Sequence, residues 1–141
     1  MKDDVSKIVI AFDGTEGSLE ALDYAAKLGN PQETEMTVVH VVKDTKVDSP
    51  NQGAGLYPII NESNDPAIAQ ARSRLRENNL SANFLVLEGK PAKKICEYAE
   101  RQNADVIVIG SRGVSGYKRF MIGSISEKVA KEAEVPVFIV K

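Results

Sequence analysis

Five short runs of apolar and β-branched residues alternate along this chain with segments whose apolar residues recur at helical spacing. A compact apolar run is typical of a strand that is covered on both faces. Strict alternation of strand and helix favours a parallel sheet, because neighbouring parallel strands need a crossover connection. The sequence therefore predicts an α/β fold, a doubly wound parallel sheet with helices on both faces. The predicted strands are Ile8 to Phe12, Met36 to Val42, Phe84 to Leu87, Val106 to Ile109 and Val135 to Val140.

Helical spacing predicts four helices between these strands. Asp65-Pro66 is a good helix start, since proline at the first helical position loses no useful donor. The helices are expected between Thr15 and Gly29, from Pro66 to about Asn79, from Pro91 to Arg101 and from Ser124 to Ala133. In the second helix three apolar residues face inward and three arginines are more solvated. These are Ile68, Ala71 and Leu75, and Arg72, Arg74 and Arg76.

Length, charge and cysteine content limit the class of protein. A chain of 141 residues fits one domain, expected to span residues 1–141. A net charge of -2 gives no overall footprint for nucleic acid or an anionic membrane, so neither is expected as a partner. No signal peptide or membrane span fits the charged start of the chain. With Cys96 alone no internal disulfide can form, which agrees with a reducing compartment, and we expect a cytoplasmic protein.

The carboxyl ends of the predicted strands are where a ligand is expected. Open parallel sheets bind ligands outside these ends, where the strand order reverses. The relevant ends hold Asp13, the stretch around Val41, and Gly110 onward. Asp13 also precedes Gly14, and an Asp-Gly pair is a common turn former. Its place at the expected switch point favours a role in the site.

A glycine-rich basic stretch between the fourth strand and the last helix carries the strongest signal. Gly110 and Gly113 let the backbone approach a ligand closely, and Arg112 adds positive charge. Gly123 precedes a helix whose free amides, at Ser124, Ile125 and Ser126, would point at an anion. The pattern therefore indicates a phosphate site.

The same stretch has a purely structural alternative. The glycines could merely turn the chain, while Ser124 and Glu127 form a capping box. A hydroxyl can cap a helix and also meet a phosphate, so spacing alone leaves both interpretations open.

Two further residues are interpreted as structural. His40 has no second histidine and no cysteine cluster with which to share a metal, so a buried, hydrogen-bonded side chain is favoured. Cys96 lies on the apolar stripe of its helix, where an inert small hydrophobe is the default.

The stretch from Lys43 to Asp65 has no clear helical or strand period and is predicted to be a long loop. Loops of this length often belong to a lid or a binding site.

Four segments of the chain together resemble one known family. They are Ile8 to Gly14, His40 to Val42, Gly89 to Ala92, and the spacing Gly110-x2-Gly113-x9-Gly123-Ser124. These segments look like the universal stress protein family, over about Lys7 to Val140, and the glycine spacing is that of its ATP-binding branch. The resemblance implies a five-stranded parallel sheet in the order 3-2-1-4-5, commonly in a homodimer, with ATP at the carboxyl ends of the strands.

The resemblance also implies a role for each site residue. Asp13 would lie near the ribose, the backbone at Ala11 and Phe12 against the adenosine, and Val41 at the adenine. Phe12 departs from the smaller residue often found there, and its ring would narrow the pocket if it pointed inward. Around the sugar and phosphates the implied contacts are Ile109, Gly110, Arg112, Gly113, Gly123, Ser124, Ile125 and Ser126.

We therefore expect a cytoplasmic ATP-binding protein that acts as a nucleotide-dependent switch or signalling dimer in the stress response. AMP or ADP are alternative ligands, and Asp13 is the candidate to help hold Mg²⁺ with the nucleotide. One alternative function is a slow ATPase or nucleotidyl transferase. However, the sequence shows no Walker A pattern, no histidine near the phosphate loop and no obvious paired carboxylates.

The other alternative is a dimeric interaction module without nucleotide, which would use the loop from 43 to 65 for partners. Homodimerisation is expected through Val135 to Val140, because an apolar edge strand is an open template for a second copy.

Overall fold

The structure is a computed structural model that describes residues 5–30, 32–42, 66–111 and 124–141. Strands and helices alternate through these residues in the predicted order. The strands are β1 (Lys7–Ala11), β2 (Glu35–Val42), β3 (Asn83–Glu88), β4 (Val106–Gly110) and β5 (Val137–Val140). The helices are α1 (Glu16–Leu28), α2 (Pro66–Glu77), α3 (Pro91–Arg101) and α4 (Ser124–Glu132).

The strands form one parallel sheet in the order β3-β2-β1-β4-β5, which confirms the predicted fold class. β1 lies at the centre, and its Ile10 is level with Val38 of β2 and Val108 of β4. The strand order reverses on the two sides of β1. The carboxyl ends of β1, β2 and β4 therefore meet at one edge, as a switch-point site requires.

Helices cover both faces of the sheet, as predicted. On one face Ile8 and Ile10 pack with Leu22 of α1 and Leu75 of α2. On the other face the alternate strand residues pack with α3 and α4, whose Val129 is fully buried. Burial on both faces explains why β1 is an unbroken apolar run.

The helix ends agree with simple capping chemistry. Thr15 is the N-cap of α1, and its side chain accepts a hydrogen bond of 3.3 Å from the Ser18 amide. Gly29 is the C-cap, and its amide donates to the Ala25 carbonyl. α2 ends at Glu77, slightly earlier than predicted, and Asn79 adopts a left-handed φ of 58° after it.

The prediction that the last strand begins at Val135 is wrong, since β5 begins at Val137. Pro136 precedes it, and a proline cannot donate to a strand ladder. The Pro136 carbonyl still accepts a hydrogen bond of 2.9 Å from the Ile107 amide.

None of the helices within residues 5–30, 66–111 and 124–141 is both long and apolar enough to cross a membrane. The predicted loop from Lys43 to Asp65 lies outside the described residues.

Candidate functional site

Asp13 follows β1 and forms the predicted turn. Its Oδ1 accepts a hydrogen bond of 3.0 Å from the Thr15 amide and a second one from the Thr15 hydroxyl. Gly14 between them has a φ of +84°, a conformation that favours glycine. The side chain of Asp13 is exposed, and Oδ2 has no hydrogen-bond partner within the described residues. One carboxylate oxygen thus holds the turn while the other is open to a ligand.

The ring of Phe12 points away from the face on which Ala11 lies. It is 3% exposed and packs in the cluster formed with α1 and α2, whereas Ala11 packs on the α3 and α4 side. The large side chain therefore does not narrow a pocket on the Ala11 face. The Phe12 amide donates to the Val39 carbonyl at 2.9 Å, and its carbonyl lies 2.9 Å from Nδ1 of His40. Both backbone groups of Phe12 are already used.

His40 at the carboxyl end of β2 is hydrogen-bonded, as predicted, but it is half-buried rather than buried. Since a carbonyl oxygen only accepts, the hydrogen between Nδ1 and Phe12 belongs to the imidazole. This bond ties the ends of β1 and β2 together on the α1 and α2 side.

Val41 offers its backbone to the space beyond the end of β1. The carbonyl of Val39 is bonded toward β1, by the Phe12 amide, and the carbonyl of Val42 toward β3, by the Gly89 amide. Since the backbone groups of a strand alternate in direction, the N–H and C=O of Val41 face the β1 side. β1 has already ended at Ala11, and no described residue bonds to Val41 from that side. A neighbouring donor and acceptor are thus left open at the edge.

The end of β4 lies against the start of α1. A Cβ built on Gly110 would overlap the backbone carbonyl of Gly17. Gly110 does not have a left-handed φ, so a close approach of α1, rather than a turn, accounts for glycine at this position. Ile109 before it is 5% exposed and packs on the same face as Ala11.

Ser111 was not among the predicted site residues, although it lies in the glycine-rich segment. It is 3% exposed, and its amide donates to the Val140 carbonyl at 2.8 Å. Its Oγ is buried and has no hydrogen-bond partner within the described residues. A buried hydroxyl without a partner is unfavourable, so a polar group that reached this atom would stabilise it.

The first turn of α4 divides between solvent and core. Ser124 and Ile125 are exposed, whereas Ser126 is 2% exposed. No hydrogen bond joins Ser124 to Glu127 in the described part of the chain, and Oε1 of Glu127 lies 3.1 Å from Nζ of Lys131. The alternative capping box between Ser124 and Glu127 is therefore not formed. The predicted site residues Arg112, Gly113 and Gly123 lie outside the described residues.

Cys96 and the possibility of a metal site can be judged for the described residues. Cys96 is 5% exposed and its Sγ lies 3.9 Å from the Val129 carbonyl, which confirms the predicted place of the thiol on the buried face of its helix. Burial, followed by the charges of Glu132, Glu100 and Glu97, raises the pKa of the Cys96 thiol to about 11. Within residues 5–30, 32–42, 66–111 and 124–141, no three His, Cys, Asp or Glu side chains are grouped as a metal site would need.

The sheet edge therefore combines polar groups without partners among the described residues from the ends of three strands. Asp13 supplies a carboxylate oxygen, Val41 a peptide donor and acceptor, and Ser111 a hydroxyl. These suit a ligand with a hydrogen-bonding ring and hydroxyl groups.

Comparison with known proteins agrees with this architecture. Residues 5–141 match the model of the Universal stress protein family. The universal stress protein MJ0531 of Methanocaldococcus jannaschii is 34% identical over 138 residues, which cover 96% of this chain and 81% of that protein. The stress response protein NhaX of Bacillus subtilis is 35% identical over 161 residues, which cover 96% of this chain and 97% of that protein.

Two solved structures of similar fold contain nucleotides. A universal stress protein in complex with cAMP superposes with a TM-score of 0.70 at 21% identity, covering 98% of each chain. A universal stress protein of Archaeoglobus fulgidus in complex with dAMP superposes with a TM-score of 0.68 at 20% identity, covering 97% of this chain and 98% of that one. At this identity the likeness shows the fold. Because the family model spans residues 5–141 and both relatives align with nearly all of the chain, the protein belongs to the universal stress protein family.

Proposed function

We propose that this protein binds an adenine nucleotide, with ATP as the expected ligand, at the carboxyl edge of its sheet. The bound nucleotide would set the state of a switch or signalling dimer in the cytoplasmic stress response. The observation that carries the proposal is the open peptide of Val41, whose N–H and C=O face the space beyond β1. Adenine presents neighbouring donor and acceptor groups on its edges, which the backbone N–H and C=O of a single strand residue can match.

Asp13 supports a position for the ribose. Its Oδ1 is engaged by Thr15, while its exposed Oδ2 can accept a hydrogen bond from a sugar hydroxyl. A carboxylate that keeps one oxygen fixed in a turn is already oriented, so less side-chain entropy is lost on binding. The same oxygen is the candidate to help hold Mg²⁺ when the nucleotide carries the ion, since Mg²⁺ is usually bound by one or two carboxylates plus phosphates.

Phosphates would lie between the end of β4 and the start of α4. The unpartnered Oγ of Ser111 and the amides at the amino end of α4 supply donors there. Arg112, Gly113 and Gly123 belong to this part of the proposal on the strength of their sequence pattern. The two nucleotide-bound relatives of the same fold, with cAMP and dAMP, add support for the ligand class.

We further propose a homodimer formed through β5. Within the described residues β5 is an edge strand that pairs with β4 alone. Phe138 on β5 is 36% exposed, and its ring lies 5.9 Å from that of Tyr24, which is 41% exposed. An exposed aromatic pair beside an unpaired strand edge is favourable to cover.

Nucleotide that co-purifies with the protein tests the proposed ligand class. The protein is purified without added nucleotide and heat-denatured, and the supernatant is separated by ion-pair chromatography with mass detection. We expect an adenine nucleotide in amounts approaching one per chain. A nucleotide of another base would contradict the proposal. Release of phosphate over many turnovers, lost in Asp13→Ala, would identify a hydrolase instead of a binding protein.

A further inference from the structure

A groove of about 260 Å³ lies between the end of α2 and the start of β3. It is at the amino edge of the sheet, opposite the proposed nucleotide site. Its apolar lining includes Leu75, Leu80 and Phe84, and its charged lining consists of Arg72 and Arg76. None of the described residues that line it is acidic. Among the described residues, the groove thus combines apolar surface with two positive charges that no carboxylate in its lining compensates.

Arg72 is held by packing rather than by an ion pair. Its guanidinium carbon lies 5.0 Å from the centroid of the Phe84 ring. Nη2 is buried and has no hydrogen-bond partner in the part of the chain that the structure describes. Sequence spacing predicts a more solvated side chain here, so this half-buried guanidinium is a departure from the pattern. The ring fixes the plane of the cation and leaves its charge without a counter-ion.

Arg76 follows Arg72 by one helical turn and adds a second charge to the groove. No ion pair to Arg76 occurs within the described residues, whereas Arg74 of the same helix lies 3.7 Å from Asp23 and 3.9 Å from Glu77. Like charges four residues apart on a helix repel. Arg74 and Arg76 lie in the last turn of α2, where the helix dipole stabilises a positive charge. Arg72 lies earlier in the helix and does not gain this stabilisation. Arg72 and Arg76 therefore have no anionic partner in the described part of the chain.

We propose that this groove binds a small organic carboxylate with an aromatic or short acyl body. The carboxylate would pair with the guanidinium groups of Arg72 and Arg76, whose planar geometry matches it. The apolar body would pack on Leu80 and Ala82, which are partly exposed in the groove, and so remove apolar surface from water. The volume exceeds what a bare inorganic anion fills, and it lies near the lower end of the range for small-molecule pockets, roughly 300 Å³.

The test is a titration of the ¹⁵N-labelled full chain followed by amide chemical shifts. Benzoate is the probe, with benzyl alcohol as its neutral analogue and inorganic phosphate as an anion without an apolar body. We expect saturable shifts with benzoate in residues 72–84, and weaker, unsaturated shifts with either comparator. Arg76→Gln should weaken benzoate binding about tenfold, as loss of a charged hydrogen-bond partner does. Arg74→Gln is the matched control, since its partners are Asp23 and Glu77, and it should bind benzoate like the parent.

Several results would overturn this inference. Equal affinity for benzyl alcohol would show that the charge plays no part, and equal affinity for phosphate would show that the apolar lining plays none. Equal weakening by Arg74→Gln and Arg76→Gln would indicate a general charge effect. The absence of saturable shifts in residues 72–84 would remove the site altogether. Arg76→Gln should keep its nucleotide binding, so failure here is separate from failure of the proposed function.

Discussion

The carboxylate of Asp13 holds the turn after β1 by accepting hydrogen bonds from the amide and hydroxyl of Thr15 through Oδ1. Oδ2 remains exposed on the same side chain. The structural and the binding interpretations of this aspartate are therefore compatible, because each uses a different oxygen.

Asp13→Asn should separate these two roles. The amide oxygen can still accept from Thr15, so we expect the free energy of unfolding to change by less than about 0.5 kcal/mol. Nucleotide affinity should fall about tenfold or more, because a charged acceptor for the ribose or the metal is lost. Calorimetric titration measures the affinity. Asp23→Asn removes the same charge from a surface position in α1 that pairs with Arg74, and it should bind nucleotide like the parent. Equal affinity of Asp13→Asn and the parent would rule out the assigned role.

Gly110→Ala should destabilise the fold by about 1 to 3 kcal/mol, as overpacking does. The added methyl group would overlap the Gly17 carbonyl, which is backbone and cannot rotate away. Gly14→Ala is the contrasting variant. The atom nearest to its added Cβ would be Cβ of Ala67 at 3.7 Å, an ordinary contact, so it should be destabilised only through the strain of a φ of +84°. Urea denaturation measures the free energy of unfolding of both variants. Parent-like stability of Gly110→Ala would mean that α1 does not approach β4 so closely.

The Cys96 thiol should make stability depend on alkaline pH. Its pKa is raised from 9.0 to about 11 in the folded state, so the folded chain keeps the proton longer than the unfolded chain does. This contribution is complete below pH 9 and is lost as the pH rises toward 11, by up to about 1.4 kcal/mol per pH unit. Chemical denaturation of the parent and of Cys96→Ala across this range gives the difference. Parallel pH profiles would contradict it.

Phe138→Lys should convert the proposed dimer into a monomer. A charge on an edge strand opposes pairing with a second edge, and two copies related by a two-fold axis would bring like charges together. Sedimentation velocity at micromolar concentration measures the state of both proteins. Ser73→Lys, which adds the same single charge at an exposed position on α2, serves as a control for net charge and should leave the dimer intact. A monomeric parent would contradict the dimer itself.

The helices and strands could be predicted from local sequence patterns. The residues at which strands begin and end, and the side of the sheet to which their last side chains point, could not. Apolar periodicity predicts each of the nine helices and strands that the described residues form, since each buries a face that repeats in the sequence. The apolar run begins at Val135 and therefore predicts a strand start there. β5 begins after Pro136 instead, because proline cannot donate a hydrogen bond to a strand ladder. The side to which the Phe12 ring points depends on where β1 ends and pairs, which a resemblance between sequences does not specify.

The reasons for individual site residues were also non-local. Glycine is required at position 110 because the backbone of Gly17, a residue far away in the chain, lies against it. The spacing of the glycines contains no sign of this contact and indicates a close approach to a ligand instead. The sequence does not distinguish Ser111 from other hydroxyl residues of the glycine-rich segment. Its Oγ is buried without a hydrogen-bond partner among the described residues only because β5 and the rest of the sheet lie around it. Backbone groups without a hydrogen-bond partner, such as the N–H and C=O of Val41, cannot be recognised from a sequence.

Binding of ATP to nucleotide-stripped protein tests the central claim most directly. Isothermal titration calorimetry with ATP and Mg²⁺ should give one saturable site per chain, and excess ATP should raise the melting temperature. At about 100 times the dissociation constant the expected stabilisation is about 2.7 kcal/mol. No heat of binding and an unchanged melting temperature at millimolar ATP, ADP and AMP would contradict the account.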